Sequence, residues 1–181
     1  MRTLSAVSLS ITLLAGLAPS APAQAAPTGV RADLLTQLDD AATKIAQLAS
    51  AIPPEKYSWR PGAGVRSISE VVMHVTGANY YIPTFAGVRA SVQLPRDAET
   101  TITDKAQIAG HLNRSFEHVR AALRAFADAD LDKPTTMFGS RTTNRNVWLT
   151  IVTHAHEHLG QLIAYARSNG IVPPWSMGSG Q

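Results

Sequence analysis

The 181-residue chain has no cysteine. This excludes disulfides, thiolate metal sites, a cysteine nucleophile and a lipid-modified cysteine. Charge is also sparse, at 16% Asp, Glu, Lys and Arg with a formal net charge of +3. So small an excess gives no electrostatic case for a nucleic-acid partner. No apolar run approaches the roughly 20 residues needed to cross a bilayer, so a stable membrane anchor is not expected. Repeats and a phosphate-cradling glycine loop are missing too. What is present is a globular composition, 45% hydrophobic, and six histidines.

The first 25 residues read as a targeting segment. Arg2 supplies a short basic start, Leu4 to Leu17 form an uncharged and mostly apolar stretch, and Ala23-Gln24-Ala25 is a small-x-small cleavage site. The expected organisation is a signal peptide over 1–25 and one domain over 26–181, with the mature protein exported to the periplasm or beyond.

Four amphipathic helical patterns fill the mature chain. Leu34, Leu38, Ala41, Ile45 and Leu48 mark the first, over about Val30 to Ala51, which Pro53-Pro54 ends. Ser67-Ile68-Ser69-Glu70 opens the second as a capping box, and its pattern fades near Pro83. Asp104 and Gln107 can cap the third, striped by Ile108, Leu112, Phe116, Val119 and Leu123. The fourth starts near Thr143 and stops at Asn169-Gly170. Pro134 to Thr143 reads as an extended or turning loop around Gly139, and no strand set is expected. The fold class predicted is all-α, a single four-helix bundle.

Three histidines crowd into His154-Ala155-His156-Glu157-His158. At about 100° per residue, His154 and His158 share a face with Ile151, Ala155 and Leu162, whereas His156 points roughly 200° away from His154. Two imidazoles four residues apart can reach one ion, but two core histidines held by hydrogen bonds would show the same spacing. The segment is not the HExxH motif of zinc proteases, since no second histidine falls where it requires one. His74 tips the balance towards a metal. It lies between Val71 and Val75 on the second helix and should face inward, so two helices can offer three nitrogen ligands: His74, His154 and His158. Three imidazoles suit zinc, nickel or divalent iron without choosing among them. His111 and His118 flank the third helix's seam and are left out of the site.

With these residues in place, the chain resembles the DinB-like superfamily of four-helix-bundle metalloproteins. The resemblance rests on Trp59-Arg60-Pro61, on Ser67 to His74, on His154-Ala155-His156-Glu157-His158-Leu159-Gly160-Gln161, and on Ile171-Val172-Pro173-Pro174-Trp175-Ser176. It implies an up-down-down-up bundle with a long crossover. It also implies a divalent metal ion held by one histidine of the second helix and the HxxxH pair of the last, which are His74, His154 and His158 here. Some members of the group resemble thiol-dependent transferases or isomerases, and self-association also occurs in the group. A homodimer is therefore compatible with the resemblance, although no exposed seam marks an interface.

Gln161 and Tyr165 extend the metal-facing stripe of the last helix, and Tyr81 stands seven residues after His74. All three are candidates for binding a small-molecule substrate, with amphipathic packing as the alternative for the tyrosines and ligand support for the glutamine. Glu157 reads as a surface residue, and no residue pattern marks a catalytic nucleophile with its base. A metal-dependent hydrolase-type enzyme is the leading expectation. The alternatives are a thiol-dependent S-transferase, which an oxidising location disfavours, and a non-catalytic metal-binding bundle.

Overall fold

The computed structural model describes residues 26–178; the expected signal peptide lies outside them. Helix α1 spans Gly29–Ala51, α2 Ile68–Tyr81, α3 Ala98–Thr101, α4 Lys105–Ala125 and α5 Asn144–Ser168. The four long helices form the bundle. Among the described residues no helix is long and apolar enough to cross a membrane.

Local chemistry sets the helix ends. Ser67 Oγ accepts from the Glu70 amide while the Ser67 amide donates to Glu70 Oε2 at 2.6 Å, completing the capping box of α2. Asp104 Oδ1 accepts from the Gln107 amide at the start of α4, and Thr143 Oγ1 from the Asn146 amide at the start of α5. Each side chain satisfies an amide that has no partner within its helix.

Contacts at the helix ends show the topology. Lys105, opening α4, donates to the Ser50 and Ile52 carbonyls at the end of α1, and Arg31, opening α1, donates to the Arg124 carbonyl near the end of α4. The two helices are therefore antiparallel. The α2 entry meets the α1 exit, because the Ser69 amide donates to the Tyr57 carbonyl and Tyr57 Oη to Ala49. Tyr165, late in α5, packs edge-on against Trp59 at that same end. Thus α1 and α5 run one way and α2 and α4 the other. Two parallel neighbours cannot be joined by a tight turn, so residues 82–104 return along the bundle, and α3 is part of that crossover.

The core is the set of stripes expected for the four helices. Leu38 and Ile45, Val71 and Val75, Ile108 and Val119, Val147 and Ile151 are all fully buried, as is Trp148. A few polar links cross it: Asn79 Nδ2 donates to Ser115 Oγ, tying α2 to α4, and Ser115 Oγ donates to the Leu112 carbonyl.

One correction to the all-helical expectation concerns Pro134 to Thr143. This segment is an antiparallel hairpin, β1 Pro134–Met137 paired with β2 Ser140–Thr143. Its strands are four residues each and rich in threonine, so they carry no apolar alternation to announce them. The two-residue turn is Phe138-Gly139, both at positive φ (52° and 82°), as the tight hairpin turn with two left-handed residues requires. Phenylalanine is an unusual occupant of that first position, which hid the turn.

Candidate metal centre

His74 projects from the middle of α2, and His154 and His158 from successive turns of α5. His154 Nε2 lies 3.2 Å from His74 Nε2 and 3.1 Å from His158 Nε2. One ligand nitrogen from each ring falls within 4.8 Å of the others. His156 points away from the cluster, as its helical phase predicts, but it is half-buried rather than facing solvent as expected, and its Nδ1 donates to the Val152 carbonyl of its own helix. His111 and His118 lie elsewhere; His118 stacks on Tyr80 at 5.2 Å, and burial lowers its pKa.

The outer nitrogens decide what the inner ones can do. His74 Nδ1 lies 3.2 Å from Glu99 Oε2, and His158 Nδ1 lies 2.8 Å from Gln161 Oε1. A carboxylate and an amide oxygen only accept, so both Nδ1 atoms carry the proton and both Nε2 atoms present lone pairs inward. His154 Nε2 sits between these lone pairs and could donate to one of them at most. Its own Nδ1 is buried without a partner among the described residues. Three imidazoles converging on so few protons could serve as a ligand set. Tetrahedral ligands at 2.0–2.1 Å from zinc are about 3.3 Å apart, close to the 3.2 and 3.1 Å that separate His154 Nε2 from its two neighbours. The three-histidine group can bind a metal ion, and the residues present fit one.

Electrostatics favour the neutral forms of His154 and His74. Burial, followed by the charges of His158, His74 and Arg66, pushes His154 down to about 4. His74 is also lowered, chiefly by burial and then by Arg66 and His158, against an opposing pull from Glu99.

Two residues of this site were not foreseen. Glu99 arrives on α3, inside a polar stretch with no helical stripe, and Arg66 precedes the α2 cap. Arg66 Nε donates to Glu99 Oε1, which leaves Oε2 for His74. The arrangement is a carboxylate–histidine pair held in turn by a guanidinium. The only advance signal for Glu99 was the long crossover, which must pass α2.

The three other candidate site residues separate in space. Gln161 bonds His158 through Oε1, and its Nε2 donates to Tyr165 Oη at 2.9 Å, so these two stand behind His158. Tyr165 is buried against Trp59. Tyr81 is exposed and lines a cleft of about 840 Å³ that His74, His154 and Glu99 also border. Met73, Ala78, Val92 and Leu94 form apolar wall of that cleft. Glu157 is exposed, as expected, while Glu70 is engaged by its cap and by Arg60.

Residues 37–162 match the sequence model of the DinB superfamily. The chain belongs to that superfamily. None of the curated proteins matches it in sequence. Among solved structures, a DinB-like protein from Bacillus cereus superposes with a TM-score of 0.70 at 20% identity, over 78% of this chain and 93% of the other. The DinB-like protein YjoA of Bacillus subtilis gives 0.61 at 19% identity, over 76% and 92%. YfiT of B. subtilis gives 0.62 at 15% identity, over 84% and 94%, and is described as a probable metal-dependent hydrolase with an unusual four-helix bundle topology. At these identities the structural likeness shows the fold alone.

Proposed function

We propose that this DinB-superfamily protein is an exported, divalent-metal-dependent hydrolase acting on a small molecule in the cleft beside His74 and His154. One observation carries the reading: three imidazole Nε2 atoms converge where His74 and His154 border an open cleft of about 840 Å³, and those of His74 and His158 are fixed as acceptors by Glu99 and Gln161. That volume lies within the roughly 300–1,000 Å³ typical of small-ligand sites. His74, His154 and His158 would hold the ion, which supplies Lewis acidity and brings the ionisation of water towards neutral pH. Zinc, nickel and divalent iron all suit the ligand set. The description of YfiT supports hydrolysis by analogy.

The chain's own groups have separable tasks. Glu99 holds the His74 ring in the tautomer that points its lone pair inward, and Gln161 does the same for His158. Glu99 also borders the cleft, where a carboxylate can take a proton from an incoming nucleophile. Burial keeps His154 unprotonated at neutral pH. Thiol transfer would use the same ligands to hold a cosubstrate thiolate. The signal-like start argues against it, because small reducing thiols are chiefly cytosolic.

The test is turnover of ester, amide and thiol-conjugation panels by untagged protein, before and after chelation, with elemental analysis of the starting material. Ester or amide hydrolysis lost on chelation and restored by one metal is expected. Hydrolysis indifferent to chelation refutes the metal-dependent reading, and stoichiometric metal without turnover would indicate a non-catalytic bundle. Export is tested by the N-terminal mass from the natural host, expected to begin near Ala26.

A further inference from the structure

Two of the most exposed large apolar side chains stand together at the lip of the cleft. Tyr81 and Phe138 are 57% and 62% exposed, and Phe85 lies between them with ring centroids at 5.1 and 5.0 Å. The three rings come from three segments: the end of α2, the turn that follows it, and the tip of the β1–β2 hairpin. Thr135 Oγ1 donates to the Phe85 carbonyl at 2.6 Å and pins the hairpin to that turn. Tyr81 and Phe138 border the same cleft as His74 and His154.

Phe138 occupies this place against its backbone preference. Its φ of 52° is a left-handed value that a bulky side chain seldom adopts, and asparagine or glycine would fill the turn without strain. Nor is its ring buried in the core, which would offset that cost. What the conformation achieves is an exposed aromatic ring at the border of the cleft.

We propose that Tyr81, Phe85 and Phe138 form a subsite for a flat apolar group, so that the substrates are small molecules carrying an aryl arm on the bond to be cleaved. The cleft joins the two ends. Apolar rings receive the arm through offset and edge-on stacking, while the polar, reacting end lies towards His74 and His154. The assignment of the reacting end rests on the metal-dependent reading; the aryl subsite does not, since its rings need no ion.

The experiment exploits the turn's own preference. Phe138→Asn removes the ring and places a favoured residue in the left-handed position. Metal-stripped protein is titrated with the neutral dye N-phenylnaphthylamine. Saturable binding to wild type is expected, weakened on the order of tenfold in F138N for the loss of one aromatic contact. F138N should melt at or above the wild-type temperature, and Val172→Asn, at the other end of α5, should bind the dye as wild type does. Unchanged dye affinity in F138N overturns the proposal. So does a clear fall in its melting temperature, which would make Phe138 a packing residue. In zinc-loaded protein, benzohydroxamate should bind more tightly than acetohydroxamate, and F138N should erase that difference. If the dye result holds while neither hydroxamate binds, the aryl subsite is supported and the metal-dependent reading fails.

Discussion

Replacing Glu99 probes how the crossover serves the three-histidine cluster. Glu99 touches the cluster only through His74 Nδ1 and is itself held by Arg66. Glu99→Gln keeps an acceptor but loses the charge; Glu99→Ala loses both. Removing a partner of this kind weakens metal binding by about 10- to 100-fold, so E99Q should fall near the lower figure and E99A near the higher. An ion at 1,000 times its dissociation constant stabilises the folded state by about 4.1 kcal/mol; a tenfold loss leaves about 2.7 and a hundredfold loss about 1.4. For a domain of this size 1 kcal/mol shifts the melting temperature by about 2–4 °C, so the metal-induced rise should shrink by roughly 3 to 10 °C. Without metal the variants lose mainly the Arg66–Glu99 pair. Its side chains are 43% and 32% exposed, and such a pair contributes at most about 1 kcal/mol. Chelator competition for zinc affinity, with melts at fixed free zinc and in excess chelator, separates the two effects. A wild-type zinc affinity in E99A would refute the positioning role. A loss of stability of the same size with and without metal would assign Glu99 to the fold instead.

Three other outcomes follow from the same geometry. His156→Ala should retain metal near wild-type content while His158→Ala loses most of it, because His156 bonds its own helix; equal losses in elemental analysis would contradict the observed phase. In metal-free protein, His154 titrates near 4 when folded against about 6.5 unfolded. Between those values the unfolded chain binds a proton that the folded one refuses, so stability falls as pH drops through that window. Urea midpoints should decline from pH 7 to pH 5 and do so less steeply in His154→Asn; a flat wild-type profile would contradict this. Ser67→Ala breaks the capping box and should cost about 1 kcal/mol, read as a fall of about 2–4 °C in the melting temperature without change in zinc affinity.

What the sequence determined by itself is local and periodic. Helix ends followed from Ser67, Asp104 and Thr143, whose side chains satisfy amides three residues away. Buried stripes followed from spacing near 3.6, and the same phase separated His156 from His154 and His158. Gln161, one helical turn after His158, was legible as its support for the same local reason. Of the motifs behind the DinB resemblance, the superfamily match over residues 37–162 covers all but the Ile171 to Ser176 ending. The hairpin was not legible, because short threonine-rich strands and a phenylalanine in a left-handed turn carry no periodic signal. Only the tertiary structure brought Glu99 and Arg66 to His74, and gathered Tyr81, Phe85 and Phe138 at one lip. The reason is geometric. A stripe specifies which side of a helix is buried, but not which residue of a distant segment it meets. That was decided by the parallel placement of α2 and α4, which sends the connecting chain back past the histidines.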